Sequence, residues 1–335
     1  MHSPYMIDWA ITNRCNLNCI HCRGMANKEL DEKIIYKTAN EIASLKPQWV
    51  IIEGGEPFLR EELFDILEII SKKNIKIYLI SNGMLVNEQY VDKLAKFGVK
   101  LMISIDGADK HSYEMIREGA NFQKLKESVY IANQYNILDS CPITIGKHNY
   151  NQTDKLFQFV TEIGYKKITF IGIKPCEDYE KYVLNKQEYN DFFYSVIKNQ
   201  KYYGIDVYVD EPFFKPFLKE NNISLNQNGE NGITVSDFSH CIFGDYMFIE
   251  TNGDVKPCTF ASIAIDNVND HTLNDIWEKM QNSSLIKKIK DLSYREAPCN
   301  KCEHLSDCAG CRSRTYALNK NWFAADPSCP LNNII

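Results

Sequence analysis

Through residue 175 the chain alternates between short apolar runs and amphipathic stretches. The runs are MIDWAIT (6–12), WVIIE (49–53), IKIYLI (75–80), VKLMISI (99–105), CPITIG (141–146) and KITFIGI (167–173). Near-continuous apolarity over so few residues is the pattern of strands buried on both faces, as in a parallel sheet. The stretches between carry helical spacing. In REELFDILEII (60–70), Leu63, Ile66, Leu67 and Ile70 fall on one face. Gly98 and Gly164 each close such a stretch just before a strand, where a helix ends in the left-handed conformation. Strand–helix alternation predicts a parallel sheet with right-handed crossovers. Six strands are too few for a closed eight-stranded barrel. The expected fold is therefore α/β, a partial (β/α)6 TIM-like barrel with its chemistry at the C-terminal strand ends.

The periodicity weakens after Pro175. KQEYNDFFYSVIKNQ (186–200) reads as a helix and IDVYV (205–209) as a short strand. The Asn/Gly-rich stretch NNISLNQNGENG (221–232) is the best candidate boundary. It divides the chain into residues 1–220, a barrel with a linker, and 233–335, a small irregular α+β domain. In that second part only TLNDIWEKM (272–280) reads as a convincing helix, with Thr272 as its N-cap. A net charge of −6 argues against nucleic acid as a partner. No apolar run is long enough to cross a membrane. The N-terminus lacks the pattern of a signal peptide, so a cytoplasmic location is expected.

Twelve cysteines change the picture. A chain of this length is not a small disulfide scaffold, and clustered cysteines point to metal. Ten lie in two groups, at 15–22 and 241–329, whereas Cys141 and Cys176 are solitary. Cys141 opens the fifth strand and is expected in the core. The first group, CNLNCIHC, follows the first strand directly. Its C-x3-C-x2-C spacing supplies three thiolates from one loop. They fit three corners of an iron–sulfur cube with one iron left open, or a zinc site needing one more ligand. The second strand ends in EGGEP, where Gly54 and Gly55 permit close backbone approach to a ligand and Glu56 places a carboxylate.

CNLNCIHC followed by GGEP resembles the radical S-adenosylmethionine (radical SAM) enzymes, with His21 in the family's aromatic place. The resemblance implies a [4Fe–4S] cluster on Cys15, Cys19 and Cys22, with SAM on the fourth iron. One electron would then cleave SAM to a 5′-deoxyadenosyl radical that takes a hydrogen atom from substrate. It also implies that Gly54, Gly55 and Glu56 meet the methionyl amino group. Asn82 in SNG (81–83) and Ser104 in SIDG (104–107) would contact ribose or carboxylate. Arg117 in HSYEMIR matches the arginine of an H-D-x-x-R segment, with Ser112 in place of the Asp.

The tail set resembles the SPASM extension, which carries two auxiliary [4Fe–4S] clusters and so brings the expected total to three. The implied ligands are Cys241, Cys258 and Cys311 for auxiliary cluster I, and Cys299, Cys302, Cys308 and Cys329 for auxiliary cluster II. Where the family has x3 before the sixth cysteine, this chain has x2. No cysteine shortly precedes Cys241, so cluster I has an open iron or a ligand such as Asp237 or His240. Cys176 is a candidate hydrogen-atom donor, a candidate ligand, or an idle loop cysteine. The electron donor implied is a ferredoxin or flavodoxin. Lys287, Lys288, Lys290, Arg312 and Arg314 offer it a docking face.

The expected activity is that of a radical SAM/SPASM oxidoreductase or maturase acting on a ribosomally made peptide or protein side chain. Because the chain enters directly at the first strand, a separate leader-recognition protein is expected. Sulfatase maturases carry an Asp base after the G-x4-C cysteine, where this chain has Thr259. The alternatives are a tetrapyrrole side-chain decarboxylase, or a dehydrogenase or epimerase of a small molecule.

Overall fold

A computed structural model describes residues 3–176, 179–223, 233–234 and 241–331. Four parallel strands come first, in the order of the chain: β1 (Met6–Ala10), β2 (Trp49–Glu53), β3 (Lys76–Ser81) and β4 (Lys100–Ile103). A second parallel set follows: β5 (Cys141–Ile145), β6 (Lys167–Gly172) and β7 (Asp206–Asp210). The sets meet where Leu101 bridges Leu138 and Ile105 N–H donates to Pro142 O. The barrel is thus partial and parallel, as the apolar runs predict, with IDVYV as a seventh strand.

Burial alternates along β3 and β6. The fully buried positions face helices, such as the one over Leu63–Ser71 that buries Leu63, Ile66, Leu67 and Ile70. The half-buried positions line the lumen. Gly98 and Gly164 both have positive φ, and Cys141 is fully buried.

The tail joins the same sheet. Strand β8 (Met247–Ile249) pairs parallel with the free edge of β1, and β9 (Asp254–Lys256) pairs antiparallel with β8. Thr272 caps the helix Leu273–Asn282. Two helices beyond it were not legible in the sequence, Ser284–Lys290 and Arg312–Asn319. The second has no apolar stripe because its buried residues are the polar first turn, Arg312, Ser313, Arg314 and Thr315. This corrects the expected docking face, since Arg312 and Arg314 are fully buried. Lys287 and Lys288 stay exposed and Lys290 pairs with Asp245. Asp237, His240 and most of the 221–232 boundary lie outside the described residues.

Candidate functional site

The cysteine triplet is held by backbone. Gly55 N–H donates to Thr12 O and Glu56 N–H to Arg14 O, both at 2.8 Å. A Cβ on Gly54 would lie 2.5 Å from Thr12 O, and one on Gly55 2.3 Å from Arg14 O. The glycines therefore let GGEP meet the chain's own backbone just ahead of Cys15. On the other side, Asn18–Cys19 pairs antiparallel with Arg117–Glu118. Cys15, Cys19 and Cys22 lie near enough to act on one another electrostatically. Burial pushes the Cys19 thiol up to about 11, and Arg117 opposes the shift. Among the described residues, no three His, Cys, Asp or Glu side chains converge on one metal ion.

Of the expected contact residues, Asn82, Arg117 and Glu56 lie near the triplet. Asn82 Nδ2 donates to Asn16 Oδ1 at 2.8 Å and lies 3.9 Å from Cys15 Sγ. Arg117 Nη1 lies 3.9 Å from Cys19 Sγ. Glu56 is fully buried. Its carboxylate accepts from Ser81 Oγ, Asn82 N–H and Phe58 N–H. Burial lifts its acid to about 7 despite those bonds. Ser104 is buried and donates its N–H to Ser81 O. Ser112 completes the capping box of the helix Lys110–Ile116 instead of acting at the triplet.

Asp106, in the quoted SIDG but not singled out, is the hub. Its Oδ2 accepts from Arg117 Nε at 2.7 Å and lies 3.3 Å from His21 Nε2, and its Oδ1 accepts from Thr144 N–H. Burial acts to raise its acid, but Arg117 and His21 outweigh that and hold it below the usual carboxylate range. His21 stacks on His148 at 5.8 Å, and burial lowers its imidazole to about 4.

The tail cysteines line two cavities. One, of about 140 Å³, is lined by Cys241, Cys258, Cys308 and Cys311, with Lys174 and Tyr246 among its other walls. The other, of about 20 Å³, is lined by Cys299, Cys302, Cys308 and Cys329, with His304 and Asp326. Cys308 and Cys311 are separated by Ala309 and Gly310, both with positive φ. A Cβ on Gly310 would lie 2.5 Å from Arg312 Nη2. This turn lets a C-x2-C pair serve both cavities. Among the described residues, Cys176 is half-buried and outside both linings. Lys174, two residues earlier, faces the larger one. No spacing signal marked it.

The comparisons agree with this geometry. The Radical SAM superfamily model matches residues 9–172, and the SPASM iron–sulfur cluster-binding domain matches 241–303. An AdoMet-dependent heme synthase of Methanosarcina barkeri is 27% identical, covering 98% of this chain and 97% of its own. The mycofactocin maturase MftC of Mycobacterium ulcerans is 22% identical, covering 98% and 88%. The structure of Streptococcus suis SuiB bound to the precursor peptide SuiA superposes with a TM-score of 0.76 at 18% identity, covering 99% and 77%. No helix among the described residues is long and apolar enough to cross a membrane. The chain belongs to the radical SAM superfamily and is an enzyme of that class with a C-terminal SPASM domain.

Proposed function

We propose that this enzyme oxidises a side chain of a ribosomally made peptide. One observation carries the choice of substrate. The arginines around the triplet are each engaged by a carboxylate: Arg14 with Glu29 at 3.7 Å, Arg23 with Glu53 at 2.5 Å, and Arg117 with Asp106 at 2.6 Å. A propionate-bearing tetrapyrrole needs cations free to receive its carboxylates. The lumen beside β1 instead presents Asp8, Glu53 and Glu250. The peptide-bound SuiB structure and the maturase MftC support the same reading. The heme synthase likeness keeps a tetrapyrrole as the second reading.

The donor sets fit the implied groups, because soft thiolates select iron–sulfur clusters. Cys15, Cys19 and Cys22 would hold the cluster that binds AdoMet. Cys241, Cys258 and Cys311 would hold one auxiliary cluster, and Cys299, Cys302, Cys308 and Cys329 the other. AdoMet, when bound, supplies the oxidant that removes one hydrogen atom from substrate. The chain's own part is positional: Glu56 and Asn82 fix the floor beside Cys15, and Arg117 and Asp106 fix Cys19 and His21. A ferredoxin or flavodoxin supplies the electrons, and a separate protein recognises the leader.

Co-expression with any short peptide found encoded beside the gene tests the substrate. A peptide that loses two hydrogens, read by mass spectrometry, is expected. Unmodified peptides together with decarboxylation of a propionate-bearing porphyrin would replace this reading with the second.

A further inference from the structure

Asp8 is a carboxylate in the middle of a strand. In the sheet register, Asp8 aligns with Ile51 of β2 and Phe248 of β8, and Phe248 aligns with Lys256 of β9. Its neighbours Ile7 and Trp9 turn to the helix-backed core, so Asp8 and Ala10 face the lumen. Asp8 is only 6% exposed. Thr259 Oγ1 donates to its Oδ2 at 2.6 Å. The Tyr246 hydroxyl lies 3.1 Å from Thr259 Oγ1 and accepts from Thr259 N–H. Asp8 Oδ1 is buried and, among the described residues, has no hydrogen-bond partner.

A buried polar oxygen left without a partner costs stability. Such an oxygen beside a reaction chamber points to a partner supplied by the substrate. The other carboxylates around the lumen are already engaged. Glu53 pairs with Arg23, Glu250 accepts from Lys256 Nζ at 3.1 Å, and Asp106 is held by Arg117.

The chemistry calls for one more group. Completing a two-electron oxidation after hydrogen-atom loss requires the substrate radical to give up one electron and one proton. The tail cysteines, if loaded with an iron–sulfur cluster, would supply the one-electron acceptor. The proton needs an acceptor on the lumen wall. We propose that Asp8 is that catalytic base, with Thr259 orienting its carboxylate and Oδ1 taking the proton. The substrate C–H bond breaks homolytically. An N–H, O–H or second C–H bond of the resulting radical then breaks heterolytically to Asp8, and the remaining electron would go to an auxiliary cluster held by the tail cysteines. This rests on the oxidative peptide reading, because a decarboxylation would release carbon dioxide and need no such base.

The surroundings suit the role. Burial, then Glu53, raises the Asp8 acid well above the usual carboxylate range, and Thr259 and Arg23 oppose the shift. Glu250 adds to it. Lys256, on β9, also faces this side and pairs with Glu250. A raised acid is a strong base once deprotonated and works best near the operating pH. Turnover therefore rises with pH through the Asp8 titration and then levels.

The test has an arm that needs no substrate. In anaerobically reconstituted holoenzyme in heavy water, infrared spectra across pH should show a carboxylic-acid C=O band that persists above the ordinary aspartate range. The Asp8 component of that band, beside the one expected from Glu56, should be missing in Asp8→Asn and displaced in Thr259→Val. The absence of an Asp8-dependent band overturns the proposal. The second arm uses the peptide identified by co-expression. Asp8→Asn should lose roughly 10²–10⁴-fold in turnover and lose the rising pH limb. Because residue 259 reaches the same point, Asp8→Asn with Thr259→Asp should recover part of the rate, which repairing a merely structural defect would not explain. Wild-type turnover by Asp8→Asn, or an iron-replete double variant no better than the single one, overturns it. If no peptide is modified, that result falls on the substrate reading, and the infrared arm decides Asp8 alone.

Discussion

Replacing Cys15, Cys19 and Cys22 together by Ala is expected to abolish reductive cleavage of AdoMet. The same change should lower iron from about twelve to about eight per chain, as expected for loss of one cube of three. The structure says why the remainder should survive. The triplet loop is pinned by backbone bonds from Gly55 and Glu56 and by the short pairing of Asn18–Cys19 with Arg117–Glu118, none of which uses a thiol. The tail cysteines line their own cavities. Anaerobic reconstitution, iron analysis and detection of 5′-deoxyadenosine read both effects. Retained cleavage would contradict the assignment of these three residues. Loss of all the iron would contradict the independence of the tail.

Arg314→Ala is expected to destabilise the fold by about 3–5 kcal/mol, the cost of removing one partner from a buried ion pair. Arg314 is fully buried between two fully buried carboxylates. It donates to Asp326 at 2.8 and 2.9 Å and to Glu211 at 2.8 and 3.1 Å. Glu211 follows β7, and Gly172 at the end of β6 leaves it room: a Cβ there would lie 1.8 Å from Glu211 Oε2. Asp326 also accepts from Cys311 N–H at 2.8 Å. One guanidinium thus ties the barrel to the turn that aims Cys308 and Cys311. Arg314→Lys should rescue little, because an ammonium cannot match a fork shared by two carboxylates. Anaerobic denaturant unfolding measures the loss, and an unchanged midpoint would refute the tie.

The barrel was legible because its strands are buried on both faces. Apolar runs such as WVIIE leave no other economical arrangement, and Gly98 and Gly164 mark where helices must stop. The cysteines were legible because ligand spacing on one loop survives as spacing in sequence. What escaped was charge turned inward. Arg312 and Arg314 read as surface because nothing in a linear sequence announces the backbone carbonyl 10 residues away that accepts from Arg312, or the carboxylates 12 and 103 residues away that hold Arg314. The helix Arg312–Asn319 was missed for the same reason, since its inner face is polar. Asp8 sits inside an apolar run, and Asp106 inside a turn. A lone carboxylate there has no period to betray it; only the folded chain brings Asp8 and Thr259 into hydrogen-bond contact. GGEP was legible as a motif, but the close approach of its glycines to Thr12 and Arg14 was not.

The central claim is that AdoMet binds an iron left open by Cys15, Cys19 and Cys22. The most direct measurement is pulsed electron paramagnetic resonance on the reduced holoenzyme with AdoMet labelled at its methionyl nitrogen and carboxylate. Hyperfine coupling from both labels to the cluster is predicted, and it should vanish in the triple Ala variant. A cluster signal that shows no coupling to either label would contradict the account.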